Sequence, residues 1–428
     1  MMKIGLKFGA FLLSIEIWIV GLGVAASILV TWVLPWVVIL AAGLWIIRWG
    51  INGKPSKRTS ADFGVGILVL MVPVTLWVTS LPQTTTLQVY RLLTGIFLYY
   101  AIVNWMEGRK RLKLALWGVI GLSIALSLGA LFGVEWVADK IRYIPAGIYP
   151  HFSSMLADTA NPNVLAGSLV ILFPFAPCVL LFAWKEISRG ERFFAILASI
   201  IGGGILVLSQ SRSALIALIA IFTLIFIFRC KWGWLTLLAL LVVGTIVFGM
   251  IGEAARQGIL ISIQGSLEWD QRFGIWSRAI YMIRDFPFTG IGMGSFREVA
   301  NLFYPFLQHN ASDIPHAHNL FLQIAVDLGI PGLIAWLSIL GVVVIASWRV
   351  YRRGVIKGDR WIMSIGVGLL CSQAALITHG MTDAVTWGMV RPAPIVWALW
   401  GLAVATWNVI DERVKVSQIN RERMKLGS

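Results

Sequence analysis

The sequence predicts an all-α, polytopic membrane protein with about twelve transmembrane helices, and three observations carry that reading. Only 13% of its 428 residues are charged while 58% are hydrophobic, against about 25% charged in ordinary soluble domains. Many windows of roughly 18 or more residues are almost free of charge, the length an α-helix needs to cross a bilayer. Lys and Arg recur in the short connections between those windows, as they do where cytoplasmic loops hold a membrane protein in one orientation. A membrane barrel would instead show short alternating segments.

In order, the expected spans cover residues 10–31, 33–49, 63–81, 86–105, 114–134, 164–184, 193–209, 213–229, 232–251, 319–347, 362–381 and 392–410. The first two are joined by almost nothing around Thr31 and Trp32. The chain so divides into nine spans over 1–251, an extracytoplasmic (periplasmic) loop over 252–318, three spans over 319–411 and a cytoplasmic tail over 412–428. A second long outer loop covers about 135–163.

With both termini in the cytoplasm, every inner connection is basic: Lys54, Lys57 and Arg58 in one, Arg109, Lys110 and Arg111 in the next, Arg352, Arg353 and Lys357 in another. Ten basic residues remain for the outer side: Arg91, Lys140, Arg142, Arg212, Arg256, Arg272, Arg278, Arg284, Arg297 and Arg391. Arginine dominates there, and its planar fork suits bidentate phosphate binding. The histidines His151, His309, His316, His318 and His379 fall in the same half, so chemistry is expected to face away from the cytoplasm. The net charge of +15 follows from this asymmetry and does not point to nucleic acid. The apolar segment after Lys7 leads into another span with no small-residue cleavage site, so no removable signal peptide is expected. Cys178, Cys230 and Cys371 lie in or beside spans, at spacings that suit neither a disulfide framework nor a metal site.

Within the large loop, Arg272 to Asp285 reads as an amphipathic helix. Its apolar residues Phe273, Trp276, Ile280 and Ile283 are expected against the outer membrane interface. It ends before Pro287, and Gly290, Gly292 and Gly294 suggest a flexible turn; with no strand before them they are not a dinucleotide fingerprint. Asn310-Ala311-Ser312 fits a glycosylation sequon, a pattern common by chance.

Several groups could carry chemistry. Arg212, in Ser209-Gln210-Ser211-Arg212-Ser213, stands at a membrane boundary, where an arginine either reaches lipid headgroups or faces a polar cavity; the flanking serines favour an anion site. Arg272 opens the amphipathic helix, while Arg278, Arg284 and Arg297 could simply contact lipid phosphates. His318 sits where the chain re-enters the membrane, and the positive end of the following helix should keep it neutral and able to accept a proton. His316 and His309 are less distinctive; a His-x-His metal site lacks a carboxylate pair, so no metal and no cofactor is expected. Asp327 lies about half a turn away from His318's face and is expected to pair with a cation on another span. Pro331, between Gly329 and Gly332, should kink that helix. His379 and Asp383 either line a cavity or are hydrogen-bonded structurally.

Together these residues resemble a known family. His318-Asn319, followed after nine residues by Gly329-Ile330-Pro331-Gly332-Leu333, is similar to a signature of the O-antigen ligase and polymerase superfamily. Ser211-Arg212-Ser213-Ala214 resembles its Ser-Arg turn, and Arg272 through Gly292-Met293-Gly294-Ser295-Phe296 resembles its periplasmic loop; the resemblance covers about 200–345. It implies a GT-C-like, metal-independent glycosyltransferase of the bacterial inner membrane, as in lipopolysaccharide biosynthesis. The donor would be a glycan on undecaprenyl diphosphate and the acceptor a lipid or saccharide hydroxyl. Carried over, Arg212 and Arg272 match diphosphate-binding arginines and His318 the catalytic histidine; Ser211, Arg278, His316 and Asn319 are the further candidates for substrate binding. Asn161-Pro162-Asn163-Val164-Leu165-Ala166-Gly167 resembles a subgroup described as bicarbonate transporters. The alternatives are therefore a polysaccharide polymerase of the same superfamily and an inorganic-anion transporter.

Overall fold

The computed structural model describes residues 2–136, 146–151, 161–230, 232–250, 252, 266–305, 314–388 and 390–426. Lys140, Arg142, Arg256, His309 and the sequon at 310–312 lie outside them. The described residues form helices α1 (Met2–Ser14), α2 (Glu16–Leu29), α3 (Leu34–Asn52), α4 (Asp62–Val78), α5 (Pro82–Trp105), α6 (Gly108–Gly133), α7 (Pro162–Leu172) and α8 (Phe175–Ala183). These are followed by α9 (Arg189–Leu208), α10 (Arg212–Arg229), α11 (Gly233–Met250), α12 (Ser266–Asp285), α13 (Phe296–Phe303), α14 (Leu320–Lys357), α15 (Arg360–Gly380) and α16 (Pro394–Leu426).

Among the described residues, nine helical segments are long and apolar enough to cross a membrane, one of them Pro162–Glu186, which runs through α7 and α8. The other three expected spans are also helical. Phe8–Ser14 and Glu16–Leu29 meet at a 53° bend, and α4 and α11 are shorter apolar helices. At that bend Glu16 is buried and ion-paired with Arg48 of α3, which offsets the cost of placing a charge there. The expected cytoplasmic tail is a continuation of α16, whose helix runs to Leu426.

Burial separates an inner set of helices from an outer one. Over an apolar stretch of 18 residues in α5, α7–α8, α15 and the membrane part of α16, 72%, 83%, 72% and 78% of residues are buried. In α3, α6, α9 and α10 the shares are 22%, 28%, 28% and 33%, as expected of helices whose other faces meet lipid. Small residues set the inner packing, because lipid is as apolar as a leucine side chain and only close approach distinguishes a partner helix. Gly95 lies under the Trp397 ring and Gly366 against the Tyr351 backbone, where an added Cβ would stand 2.3 Å and 2.4 Å from its neighbour.

The connections sort to two ends of the bundle. At one end Lys57 pairs with Glu107, Lys113 with Glu191 and Arg109 with Asp359. At the other, Thr79 and Thr85 meet Ser295 and Met293, Tyr149 meets Gln210, and Ser213 meets Thr382. The loops expected on one side of the membrane are those that touch one another.

The kink expected in α14 is present, and its geometry is a break. Gly329 has φ 69° and ψ −177° inside the helix, which frees backbone groups there. The residues after α12 take them up: Ile330 N–H donates to Pro287 O at 2.7 Å and Ile291 N–H to Val326 O at 2.9 Å. The segment 290–294, expected as a flexible turn, is instead packed into the bundle. Met293 N–H donates to Thr75 Oγ1 at 2.8 Å and Gly294 N–H to Asp327 Oδ1 at 3.2 Å.

Candidate functional site at the histidine end of the bundle

The amphipathic helix exists and begins earlier than expected, at Ser266. Its inward face is Ile275, Ala279 and Met282, spaced four and three residues apart and fully covered. The expected stripe is split: Phe273 and Ile280 are exposed, with Phe273 stacked edge-on against Trp276, while Ile283 packs against the inward face. α12 is apolar on two sides, so alternation alone did not say which row meets protein. Its position is set by α14, against which it packs, and by Trp276 Nε1–H, 3.4 Å from His318 O.

Arg272 at the foot of this helix donates to the carbonyl of Thr382. Asn319, the N-cap of α14, accepts from Phe321 N–H and Leu322 N–H, both at 3.0 Å, and donates through Nδ2 to Met381 O at 3.0 Å. Thr382 Oγ1 lies 2.7 Å from Ser213 Oγ, next to Arg212 at the first turn of α10. Asp383 Oδ1 stands 3.7 Å from His316 Nε2 and 3.9 Å from His318 Nδ1. The turn 381–383 is thus the point to which the three separated motif segments are tied.

The backbone at two of these segments is unusual. Among the described residues, Gln210 (φ 50°) and His318 (φ 46°) are the non-glycine residues with positive φ, a conformation that persists only where its surroundings impose it. At Gln210 the constraint is Tyr149, whose hydroxyl donates to Leu208 O at 3.0 Å and accepts from Gln210 Nε2 at 2.6 Å. At His318 its own N–H donates to His316 Nδ1 at 3.1 Å, and Ala317 N–H donates to Gln323 Oε1 at 2.8 Å.

The imidazoles of His316 and His318 lie 4.2 Å apart. His316 Nδ1 accepts a hydrogen bond, so its proton is on Nε2, facing Asp383. Burial pushes His318 down to about 4, with the Arg272 guanidinium adding to it; His316 is held well below the usual range by burial, then by His318, Arg272 and Arg297. Both rings are neutral, as the sequence suggested for His318, but the cause is burial and Arg272 where the sequence argument had used the helix end. The His318 side chain keeps 28% of its surface and that of His316 9%, so His318 is the more accessible of the two.

Asp327 corrects an expectation. Among the described residues it pairs with no cation. Its carboxylate accepts from Trp387 Nε1 at 2.8 Å, Gln323 Nε2 at 2.9 Å and Gly294 N–H. Neutral donors suffice because three of them converge there, and through Gln323 the carboxylate supports the Ala317 amide beside both histidines.

His316, His318 and Asp383 also present ligand atoms within 4.8 Å of one another, a set that could hold a metal ion. The sequence lacked a carboxylate for such a site because Asp383 follows two further helices. The positive charge of Arg272, felt by both histidines, opposes a cation there. His379 is buried with both ring nitrogens unpartnered, against Gly167, where a Cβ would lie 2.9 Å from its ring. That contact gives the Asn161–Gly167 segment a packing role, and Asn161 caps α7 through Asn163 N–H. Arg278 is directed to Pro305 O at 3.2 Å and to Ser277, on the far side of α12's first turns. Ser211 is the N-cap of α10 without a side-chain capping bond.

The fold and this cluster define a polytopic membrane protein with a neutral histidine pair, a carboxylate and two arginine-bearing turns gathered at one end. Residues 197–337, a third of the chain, match the family model described as O-Antigen ligase. No curated protein matches the chain significantly. The match contains Arg212, Arg272, His316, His318 and Asn319 but ends before Met381, Thr382 and Asp383. Sequence reasoning noted Asp383 only as one of a polar pair at a span end, which was the available signal.

Proposed function

We propose that the protein transfers a glycan from a polyprenyl diphosphate, of the undecaprenyl type, to an acceptor hydroxyl. The observation that carries this is the convergence of Arg272, Asn319 and the Arg212–Ser213 turn on residues 381–383, beside His318. The match of residues 197–337 to the O-antigen ligase family model supports glycan chemistry in the membrane. With a proton on Nδ1 facing Asp383, His318 Nε2 takes the proton of the acceptor hydroxyl as that oxygen attacks the anomeric carbon. The bond from that carbon to the diphosphate oxygen breaks, the lipid diphosphate leaves, and the carbon inverts. Arg212 and Arg272 neutralise the charge that develops on the leaving group, the role a metal would otherwise fill. The positive end of the α10 dipole adds to that potential. Between α10 and α11 runs an apolar groove of about 500 Å³ lined by Leu215, Leu218, Phe222 and Leu237; it begins one turn below Arg212 and suits a polyprenyl tail. A polymerase of the same superfamily would use the same donor chemistry with a second lipid-linked glycan as acceptor.

The test is glycan transfer by purified protein in lipid, with a labelled polyprenyl diphosphate glycan. His318→Ala, Arg272→Ala and Arg212→Ala should each abolish transfer while the protein still inserts. Near-normal transfer by His318→Ala would remove the base assignment.

A further inference from the structure

At the opposite end of α14 from the histidines lies a small pocket between α6, α14, α15 and α16. It is lined by Arg109, Arg353, Lys357 and Asp359 on its polar side and by Leu112 and Val409 among its apolar residues. The charges there do not cancel. Asp359 is committed to Arg109, at 2.6 Å and 3.3 Å, and to the N-cap bond from Ile362 N–H. Arg109 is further held by Glu186 at 3.9 Å and by the Trp361 ring. Arg353 and Lys357 remain, one turn apart on the same face of α14, and like charges at that spacing repel. Neither makes an ion pair among the described residues, and Arg353 Nε is buried without a hydrogen-bond partner. Their neighbours behave differently: Arg349 and Arg352 lie over the Trp407 and Trp348 rings, as interface anchors do.

We propose that this pocket binds one phosphate group, with Arg353 and Lys357 as its counter-charges. The cavity offers about 60 Å³, several times the roughly 10–15 Å³ that one water requires, which is room for a phosphate and its ester oxygens. Its apolar wall and its place between helices at the basic end of the bundle suit the headgroup of an anionic phospholipid at the membrane surface; a soluble phosphate shares the same chemistry. The site is independent of the glycan-transfer reading, because it uses none of those residues.

The experiment takes full-length protein, stripped of lipid in neutral detergent. It measures thermal stability and bound lipid by native mass spectrometry during titration with dioleoylphosphatidylglycerol, dioleoylphosphatidylcholine or sodium phosphate. The expected result is a saturable gain in melting temperature and one retained molecule with phosphatidylglycerol, and none with phosphatidylcholine. Arg353→Ala/Lys357→Ala should weaken it about tenfold or more. Lys357→Ala, on an exposed side chain, keeps the packing and should give an intermediate loss. A matching gain with sodium phosphate alone would support the anion site and assign it to a soluble phosphate. Equal binding of the two lipids, or unchanged phosphatidylglycerol binding by the Lys357→Ala variant, would overturn the proposal.

Discussion

His318 and Asp383 face each other across 3.9 Å, although two membrane-spanning helices, α14 and α15, separate them in the chain. In the proposed reaction the carboxylate would orient the ring and stabilise the imidazolium that forms as the acceptor proton is taken. Such partners tighten on substrate binding, so a distance beyond hydrogen-bond range in the unliganded site does not argue against the role. Asp383→Asn should therefore lower kcat by about 10²-fold or more while leaving the donor KM near its normal value, as expected of a group that acts through His318. A raised KM with normal kcat would instead place Asp383 on the substrate.

The acid limb of activity should lie unusually low. His318 is pushed down to about 4 by burial and Arg272, so its base form persists at pH 5.5, where a histidine at 6.5 would be mostly protonated. The sign for stability is the same. A depressed histidine favours the fold above 6.5, and that contribution is lost as pH falls toward 4. A pH profile of kcat/KM with its acid limb between about 4 and 5 is expected; a limb at 6.5 would contradict the environment described. Replacing Arg272 by Gln removes the positive neighbour, and should move the pH dependence of His318 modification by diethyl pyrocarbonate upward.

Transfer should continue in excess chelator. His316, His318 and Asp383 could hold an ion, but His318 cannot spend its lone pair on a metal and on a proton at once. Complete loss of transfer in chelator, restored by one divalent metal, would replace the base mechanism with a metal-bound one.

Gly290 and Gly329 mark the crossing of two backbones. A Cβ on Gly290 would lie 2.6 Å from Asp327 O, and one on Gly329 2.7 Å from the Phe288 carbonyl carbon; both residues have positive φ. Either change to Ala should cost about 2 kcal/mol or more, from strain and forced separation together. The drop in melting temperature in detergent measures it, and unchanged stability would mean the two segments do not pack as described.

Asp327→Asn puts an amide among three donors and leaves one unpaired, at a cost of about 1–3 kcal/mol. With its amide oxygen toward Gln323 and Gly294 the unpaired donor is Trp387 Nε1–H, whereas Asp327→Ala also removes the anchor of Gln323, which supports the Ala317 amide beside the histidines, so transfer should fall further in Asp327→Ala.

Length and hydropathy determined the membrane class and where the chain turns, because burying a backbone in lipid leaves helices as the economical solution and charge marks their ends. Local spacing likewise revealed the Ser-Arg and His-Asn turns and the weak point of α14 at Gly329 and Pro331. Those are properties of a few neighbouring residues. What the sequence left open were the relations between distant segments: which row of α12 meets the protein, what Asp327 touches, and that 381–383 gathers Arg272, Asn319 and Ser213. Apolar rows on two sides of one helix look alike until a neighbour covers one of them, and a carboxylate's partner is whatever the packing of other helices delivers. Tertiary structure alone decided those points, and with them the surroundings that keep both imidazoles uncharged.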